Sequence, residues 1–310
     1  MNVLRICTWN VWHALSPYGY GVFGPLLMPQ LESSKEAQLR RIRQMETLTR
    51  LRKSESDIFC LQEINPIEKR RSLVAQELSM RDAAMRCNAG IKWGSMGLPL
   101  HLSDGLLTLT GKAFRKRKTV RITLSGKAYE WDTPFGVPLF MQLGERRCAL
   151  LLETVWKSRK IAVVNLHLHN GTEVSHHHRT RRREELVRLA RSLKRRSKDV
   201  DLLAVCGDFN CEADSSSMEP LWEIGLIDCA QLSATQQKIT WDPQNNPATE
   251  ISARLATERQ DECRGWEDAP HIFDRIYVQA KVPLKKVGLK RVCDEPNLSD
   301  HYGVLAELTF

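Results

Sequence analysis

The sequence predicts a mixed α/β protein, and three observations carry that prediction. Short buried runs rich in β-formers recur along the chain, several ending in a polar residue. Stretches with apolar residues at helical spacing lie between them. No repeat, low-complexity linker or evident domain boundary interrupts the series. At 310 residues, 42% hydrophobic and 27% charged, the chain can bury a substantial core. We read residues 1–310 as one domain.

The pattern is clearest at Asp201–Val205, a buried strand that runs into Gly207-Asp208-Phe209-Asn210. Gly207 frees the backbone, and the spacing of Asp208 and Asn210 predicts a carboxylate beside a carboxamide at one rim of a sheet. Before it, Val3 to Asn10 alternates as a first strand, Asp57 to Glu63 reads as a second, and Cys148–Trp156 and Lys160–His169 form a pair around Lys157-Ser158-Arg159. Helical spacing covers Lys35–Lys53, Pro66–Ser79 and the basic stretch from His176. Residues 81–142 give only short β-prone pieces. Ser215–Gly225 reads as a short helix, and strands over Ile272–Val278 and Gly303–Phe310 close the chain. Residues 14–34 and 240–265 are predicted to be long irregular loops that tune substrate selectivity.

Composition narrows the class. No run of about 18 apolar residues is present, which predicts no membrane span. The first strand begins at once, predicting no signal peptide and a cytoplasmic location. Nine cysteines without a Cys-x-x-Cys pair argue against a disulfide framework or a zinc ribbon, and Cys7, Cys60 and Cys206 read as small core residues. The net charge of +9 is concentrated. Residues 176–198 hold ten Lys or Arg against two Glu, while the remainder has 36 basic and 35 acidic residues. This basic helix, with Arg115–Lys118, either binds a polyanion or presents an ordinary solvated face.

Polar groups at strand ends and in a late loop form a series: Asn10, Glu63, His167, Asp208 with Asn210, Asp274, and Asp300-His301. Carboxylates offer the hard oxygens that Mg²⁺ takes, and an imidazole accepts a proton near neutral pH. Singly, each residue could be a turn or cap. Jointly, the segments Thr8-Trp9-Asn10, Leu61-Gln62-Glu63, Asn165-Leu166-His167-Leu168, Gly207-Asp208-Phe209-Asn210, Asp274-Arg275-Ile276 and Ser299-Asp300-His301 form an ordered set. The set resembles the endonuclease/exonuclease/phosphatase superfamily, which includes deoxyribonucleases, apurinic endonucleases and neutral sphingomyelinases.

That resemblance implies a four-layered α/β/β/α sandwich of two mixed, mostly antiparallel sheets with helices outside. It implies Glu63, Asn10 and Asp300 at a Mg²⁺ site, with Mn²⁺ as the alternative ion. His301 would be the general base and Asp274 its partner. Asp208 would orient water or protonate the leaving group, and Asn210 and His167 would hold phosphoryl oxygens. The expected activity is hydrolysis of a phosphodiester by a monomer, nucleic acid being favoured. A neutral-sphingomyelinase-like phospholipid diesterase, an inositol-phosphate phosphatase and a non-catalytic binding module are the alternatives. His167-Leu168-His169 and the aromatic loop Tyr18–Phe23 speak for the lipid reading; His169 itself reads as structural.

Overall fold

The structure, a computed structural model, describes residues 2–11, 45–64, 67–88, 91–93, 96–98, 104–132, 138–171, 173, 175–258, 269–295 and 298–310. The loop expected over 14–34, the start of the helix expected over 35–53 and residues 259–265 lie outside these. The elements in order are β1 (Val3–Asn10), α1 (45–53), β2 (Ile58–Ile64), α2 (Ile67–Glu77), β3 (Arg81–Asn88), β4 (Ile91–Trp93) and β5 (Met96–Leu98). Then come β6 (Asp104–Thr110), β7 (Arg115–Asp132), β8 (Pro138–Trp156), β9 (Arg159–His167), α3 (His176–Leu193), β10 (Leu202–Asp208) and α4 (Glu219–Trp222). The last are β11 (Ile227–Asp228), α5 (Cys229–Leu232), α6 (Pro247–Glu258), β12 (Asp274–Ala280), β13 (Lys286–Val292) and β14 (Gly303–Thr309).

Two sheets form. The first runs β13-β14-β1-β2-β6-β3; the second runs β11-β12-β10-β9-β8-β5-β4, with β7 also on β8. β1 lies parallel to β2, and β9 to β10. The second parallel pair is joined by a crossover through α3, as a parallel connection needs. β8 and β9 meet instead through a two-residue turn in which Lys157 and Ser158 both have positive φ, the geometry that matches strand twist in a tight hairpin.

Alternation along the strands sorts the apolar side chains into layers. Leu4, Ile6, Ile58, Cys60, Ala306 and Leu308 from the first sheet pack against Ile161, Val163, Ala204, Cys206, Ile276 and Val278 from the second. On the outer face of the second sheet, Val164, Leu166, Leu203 and Val205 meet Leu186, Leu189 and Leu193 of α3. On the outer face of the first, Trp9, Phe59, Leu61 and Leu107 meet Leu48, Leu51, Val74 and Ala75 of α1 and α2. These are the four expected layers, and Cys7, Cys60 and Cys206 are fully buried in them.

Three features depart from the sequence reading. Residues 81–142, legible only in pieces, build the first-sheet edge and most of the long β7–β8 ribbon. The loop expected over 240–265 contains α6, whose start carries an Asn246-Pro247 signal: the Asn246 side chain accepts from the Ala248 N–H at 3.1 Å, and Pro occupies the first helical position. Cys87 and Cys148 form a disulfide that stitches β3 to β8 across the two sheets. Counting cysteines could not reveal a lone bond closing 61 residues of chain.

Candidate active site

Strand register alone assembles three of the polar rim residues. Asp208 pairs with His167 across the parallel β9–β10 ladder and with Asp274 across the antiparallel β10–β12 ladder. The three side chains therefore stand in one row, continuing the inward-facing series Ala204-Cys206, Val163-Asn165 and Val278-Ile276 past the end of the apolar core. Gly207 makes the row possible. Its φ is 151°, and a Cβ there would come within 2.0 Å of the Leu166 carbonyl oxygen.

The first sheet adds Asn10 and Glu63 by a different device. Asn10 lies opposite Gln62 at the end of the parallel β1–β2 ladder. One residue further, the β2–β6 register slips between Leu61 and Ile64, and Glu63 adopts φ 56°. This bulge turns the Glu63 carboxylate inward, where Asn10 Nδ2 donates to Oε1 at 3.2 Å and to Asp208 Oδ2 at 3.0 Å. His167 Nε2 stands 3.8 Å from Glu63 Oε1 and 3.6 Å from Asp208 Oδ2.

Asp300 and His301 come from the loop before β14, which is held on every side. Ser299 Oγ donates to the Asn10 carbonyl at 2.6 Å, and Trp9 Nε1 donates to the His301 carbonyl at 3.0 Å. From the 240–249 segment, the Thr240 carbonyl accepts from the Tyr302 N–H, Asn246 Nδ2 donates to the Ser299 carbonyl, and Thr249 Oγ1 donates to the Asp300 carbonyl. His301 Nδ1 is thereby set 2.7 Å from Asp274 Oδ2, with Nε2 3.7 Å from Asp208 Oδ2. Asn210 reaches the rim by a turn rather than by strand alternation. Its φ is 52°, its N–H donates to Asp208 Oδ1 at 2.9 Å, and its side chain donates to the Leu168 carbonyl at 3.1 Å.

Over residues 7–301 the sequence matches the Endonuclease/Exonuclease/phosphatase family. The chain belongs to that family. Solved structures share its fold. The endonuclease/exonuclease/phosphatase protein of Bacteroides vulgatus is 16% identical with a TM-score of 0.63, covering 100% of both chains. Truncated Caenorhabditis elegans TDP2 is 16% identical with a TM-score of 0.58, covering 99% of this chain and 98% of its own. A protein described as functionally unknown from Enterococcus faecalis is 17% identical with a TM-score of 0.60, covering 99% of each chain. No curated protein matches the chain by sequence.

In this endonuclease/exonuclease/phosphatase protein the rim is crowded with acid groups far from bulk water. Burial, reinforced by the Glu63 and Asp208 charges against the pull of His301, pushes Asp300 up to about 7. Burial likewise holds Asp274 above the usual carboxylate value, although His301 opposes it. Burial also raises Asp208, but His301, His167 and hydrogen bonds from Asn10 and Asn210 outweigh it and bring that group below the usual value. Burial draws His301 down, and Asp274, Asp208 and Asp300 together carry it well above an ordinary imidazole. Hard oxygen donors pressed together at this cost are what a small divalent cation takes, and Glu63, Asn10 and Asp300 could hold one, although among the described residues no group of three or more His, Cys, Asp or Glu is closed around a cation position.

The basic segments lie elsewhere. Arg115 pairs with Val155, which pairs with Lys160 at the start of β9, so Arg115–Lys118 sit at the opposite end of the sheet from His167, about 23 Å away at the usual rise per residue. α3 runs from the rim toward that same far end and packs outside the second sheet. Its Arg182 is fully buried, paired with Glu173 and donating to the Gly171 carbonyl at 2.7 Å. His169, expected to be structural, donates its backbone N–H to Glu185 at 2.9 Å, and its Nε2 lies 2.9 Å from His178 Nδ1. Sequence reasoning missed the supports Thr240, Asn246 and Thr249, and marked Ser299 only as the first residue of Ser299-Asp300-His301, without a role. Of the first three, only the Asn246-Pro247 helix start gave a readable signal.

Proposed function

We propose that this protein is a divalent-metal-dependent hydrolase of phosphodiesters, acting as a monomer in which residues 1–310 form one domain. The observation that carries the reading is His301, tied through Nδ1 to Asp274 while Nε2 faces Asp208, on the rim that also gathers Glu63, Asn10 and Asp300. Mg²⁺ is the proposed ion, with Mn²⁺ as its substitute; bound there, it supplies polarisation of a phosphoryl oxygen and stabilisation of the leaving oxygen.

The chain's own groups do the rest. With Asp274 on Nδ1, the neutral form of His301 takes a proton from water on Nε2 as the water oxygen closes on phosphorus; Asp274, Asp208 and Asp300 hold that nitrogen protonated until a bound cation would offset their charge. The ester P–O bond opposite breaks, and the leaving oxygen takes up a proton. Asp208, whose Oδ2 faces Nε2, orients the water. Asn210, which gives only one side-chain N–H to Leu168, turns the other toward a phosphoryl oxygen, and His167 holds a second.

Charge does not select the ester. Arg115–Lys118 and the outer face of α3 stand off the rim, so they lend nucleic acid no weight over phospholipid. What remains in favour of nucleic acid is the family's own name. The test is magnesium-dependent cleavage of a bis-aryl phosphate, abolished by chelator, followed by DNA, RNA, sphingomyelin and inositol phosphates. The proposal fails if no phosphate ester in that panel is cleaved.

A further inference from the structure

The apolar core does not meet the rim directly. Between them lies a thin polar layer of Thr8, Gln62 and Asn165, all with 0% exposure. Gln62 belongs to β2 of the first sheet and Asn165 to β9 of the second, so the two carboxamides bridge a gap that side chains from facing sheets normally fill with hydrocarbon.

Their bonds are specific. Asn165 Nδ2 donates to the Leu61 carbonyl at 3.1 Å and to the Leu107 carbonyl at 3.2 Å. Leu61 and Leu107 are the last β2–β6 pair in register before the bulge that presents Glu63. Gln62 Nε2 lies 2.7 Å from Asn165 Oδ1, 2.9 Å from the Cys60 carbonyl and 3.1 Å from Thr8 Oγ1, its two hydrogens shared among the three acceptors. Both carbonyls belong to a pair that the β2–β6 ladder already joins, so the Asn165 hydrogens fall on their second lone pairs and tie the last regular rung before the bulge to the opposite sheet. Asn165 is also two residues before His167 on the same strand face, so one side chain ties the Glu63 bulge to the His167–Asp208–Asp274 row.

We infer that the Gln62–Asn165 pair is the positioning device that fixes Glu63 relative to the second sheet. The pair touches neither substrate nor metal and acts through the bulge. Without Asn165, that rung is released from β9, nothing from the second sheet holds the left-handed turn at Glu63, and the carboxylate leaves the rim. The inference rests on the reading of Glu63 as a metal ligand where metal affinity is concerned, and on the bulge alone where geometry is concerned.

The experiment is Asn165→Leu in the full chain, with thermal melting, a crystal structure and Mn²⁺ binding followed by electron paramagnetic resonance of the free ion. The expected result is a folded protein in which Glu63 has left its left-handed conformation and Mn²⁺ binds at least ~10-fold more weakly, the usual effect of losing a group that orients a ligand. A folded variant with Glu63 in place and parental Mn²⁺ affinity overturns the inference. Should Asn165→Leu not fold, Gln62→Met decides: it removes the donor that turns the Asn165 carboxamide onto Leu61 and Leu107 while leaving Asn165 in place, is expected to fold and weaken Mn²⁺ several-fold, and parental affinity in it overturns the inference. If the parent binds no Mn²⁺ at all, the metal reading falls, while displacement of Glu63 in the variant crystal still upholds the device and its retention still refutes it.

Discussion

The two ends of the strands in this protein are built from opposite chemistry. At one end the inner faces of β1, β9, β10 and β12 pass from hydrocarbon through carboxamides to carboxylates and imidazoles, nearly all buried, with Asn10 bonded to Asp208 and His301 to Asp274. At the other end the β8–β9 turn, the start of β7 and the residues just after α3 present Lys157, Lys160, Arg115, Lys116, Lys118, Lys194 and Arg195 to solvent. The first end is expensive to fold, since buried charge must be matched group by group. The second is nearly free, since solvated lysines need no partner. Chemistry that folding alone would not favour is therefore concentrated at the rim, and the charge that dominates composition is not.

The comparison predicts its largest effect at the rim. Glu63→Ala, Asp208→Ala and His301→Ala should each lower turnover of a phosphodiester by about 100-fold or more, the range for removing a proton-transfer or charge-stabilising group, with circular dichroism unchanged. Near-parental rates in any two of the three would place the reaction elsewhere.

A smaller effect tests whether all basic residues of α3 belong with the solvated end. Arg182 does not, being fully buried on Glu173 and on the Gly171 and His169 carbonyls. Arg182→Met should cost about 3 kcal/mol in denaturant unfolding, because it strands a partly buried carboxylate and two carbonyls. Arg191→Ala, exposed on the same helix, should cost less than about 0.5 kcal/mol. Equal costs would mean that burial does not distinguish the two.

Arg182 also shows where sequence reading stops. Leu186, Leu189, Ala190 and Leu193 announce the inward stripe of α3 by their spacing, and that stripe is what packs on the sheet. Nothing in an Arg-rich run says which arginine turns inward. The same division holds at the site. His167 and Asp208 were legible because strand ends and a glycine punctuate the text there. The cradle from Thr240 to Thr249 was not, because its function depends on which backbone carbonyl of the Ser299–Tyr302 loop each side chain meets, and that pairing spans more than fifty residues. The β7–β8 ribbon was obscured by its charged register breaks at Arg115–Lys118 and around Ser125.

Glu185, on α3 behind the rim, gives a pH-dependent test. It accepts from Ser125 Oγ at 2.6 Å and from the His169 N–H at 2.9 Å, yet burial still leaves its pKa raised. A carboxyl whose folded pKa lies above its unfolded value of about 4.3 holds its proton more tightly when folded. Its contribution to stability is full at low pH, declines as pH rises from the unfolded toward the folded value, and stays lost above that. Glu185→Gln removes the decline. Melting of variant and parent should therefore differ more at pH 7.5 than at pH 4, in the variant's favour; a difference independent of pH would show that folding leaves the carboxyl's pKa unchanged.

The smallest effect belongs to the solvated end. Replacing Arg115, Lys116 and Lys118 with Gln should leave bis-aryl phosphate cleavage and stability within about 0.5 kcal/mol of the parent, as surface changes usually do. The physical reason is distance: a separation near 23 Å exceeds twice the Debye length of about 8 Å at physiological salt, so these charges cannot bias ionisation or binding at the rim. Cleavage of a long DNA or RNA sharpens the point, because a polyanion reaching around the molecule could touch both ends at once. If the triple variant loses polymer cleavage and its salt dependence while keeping the small diester, the far end is a polyanion contact, and the contrast between a working rim and an idle base is wrong. If both activities persist unchanged, the cationic character of the sequence is a property of its solvation.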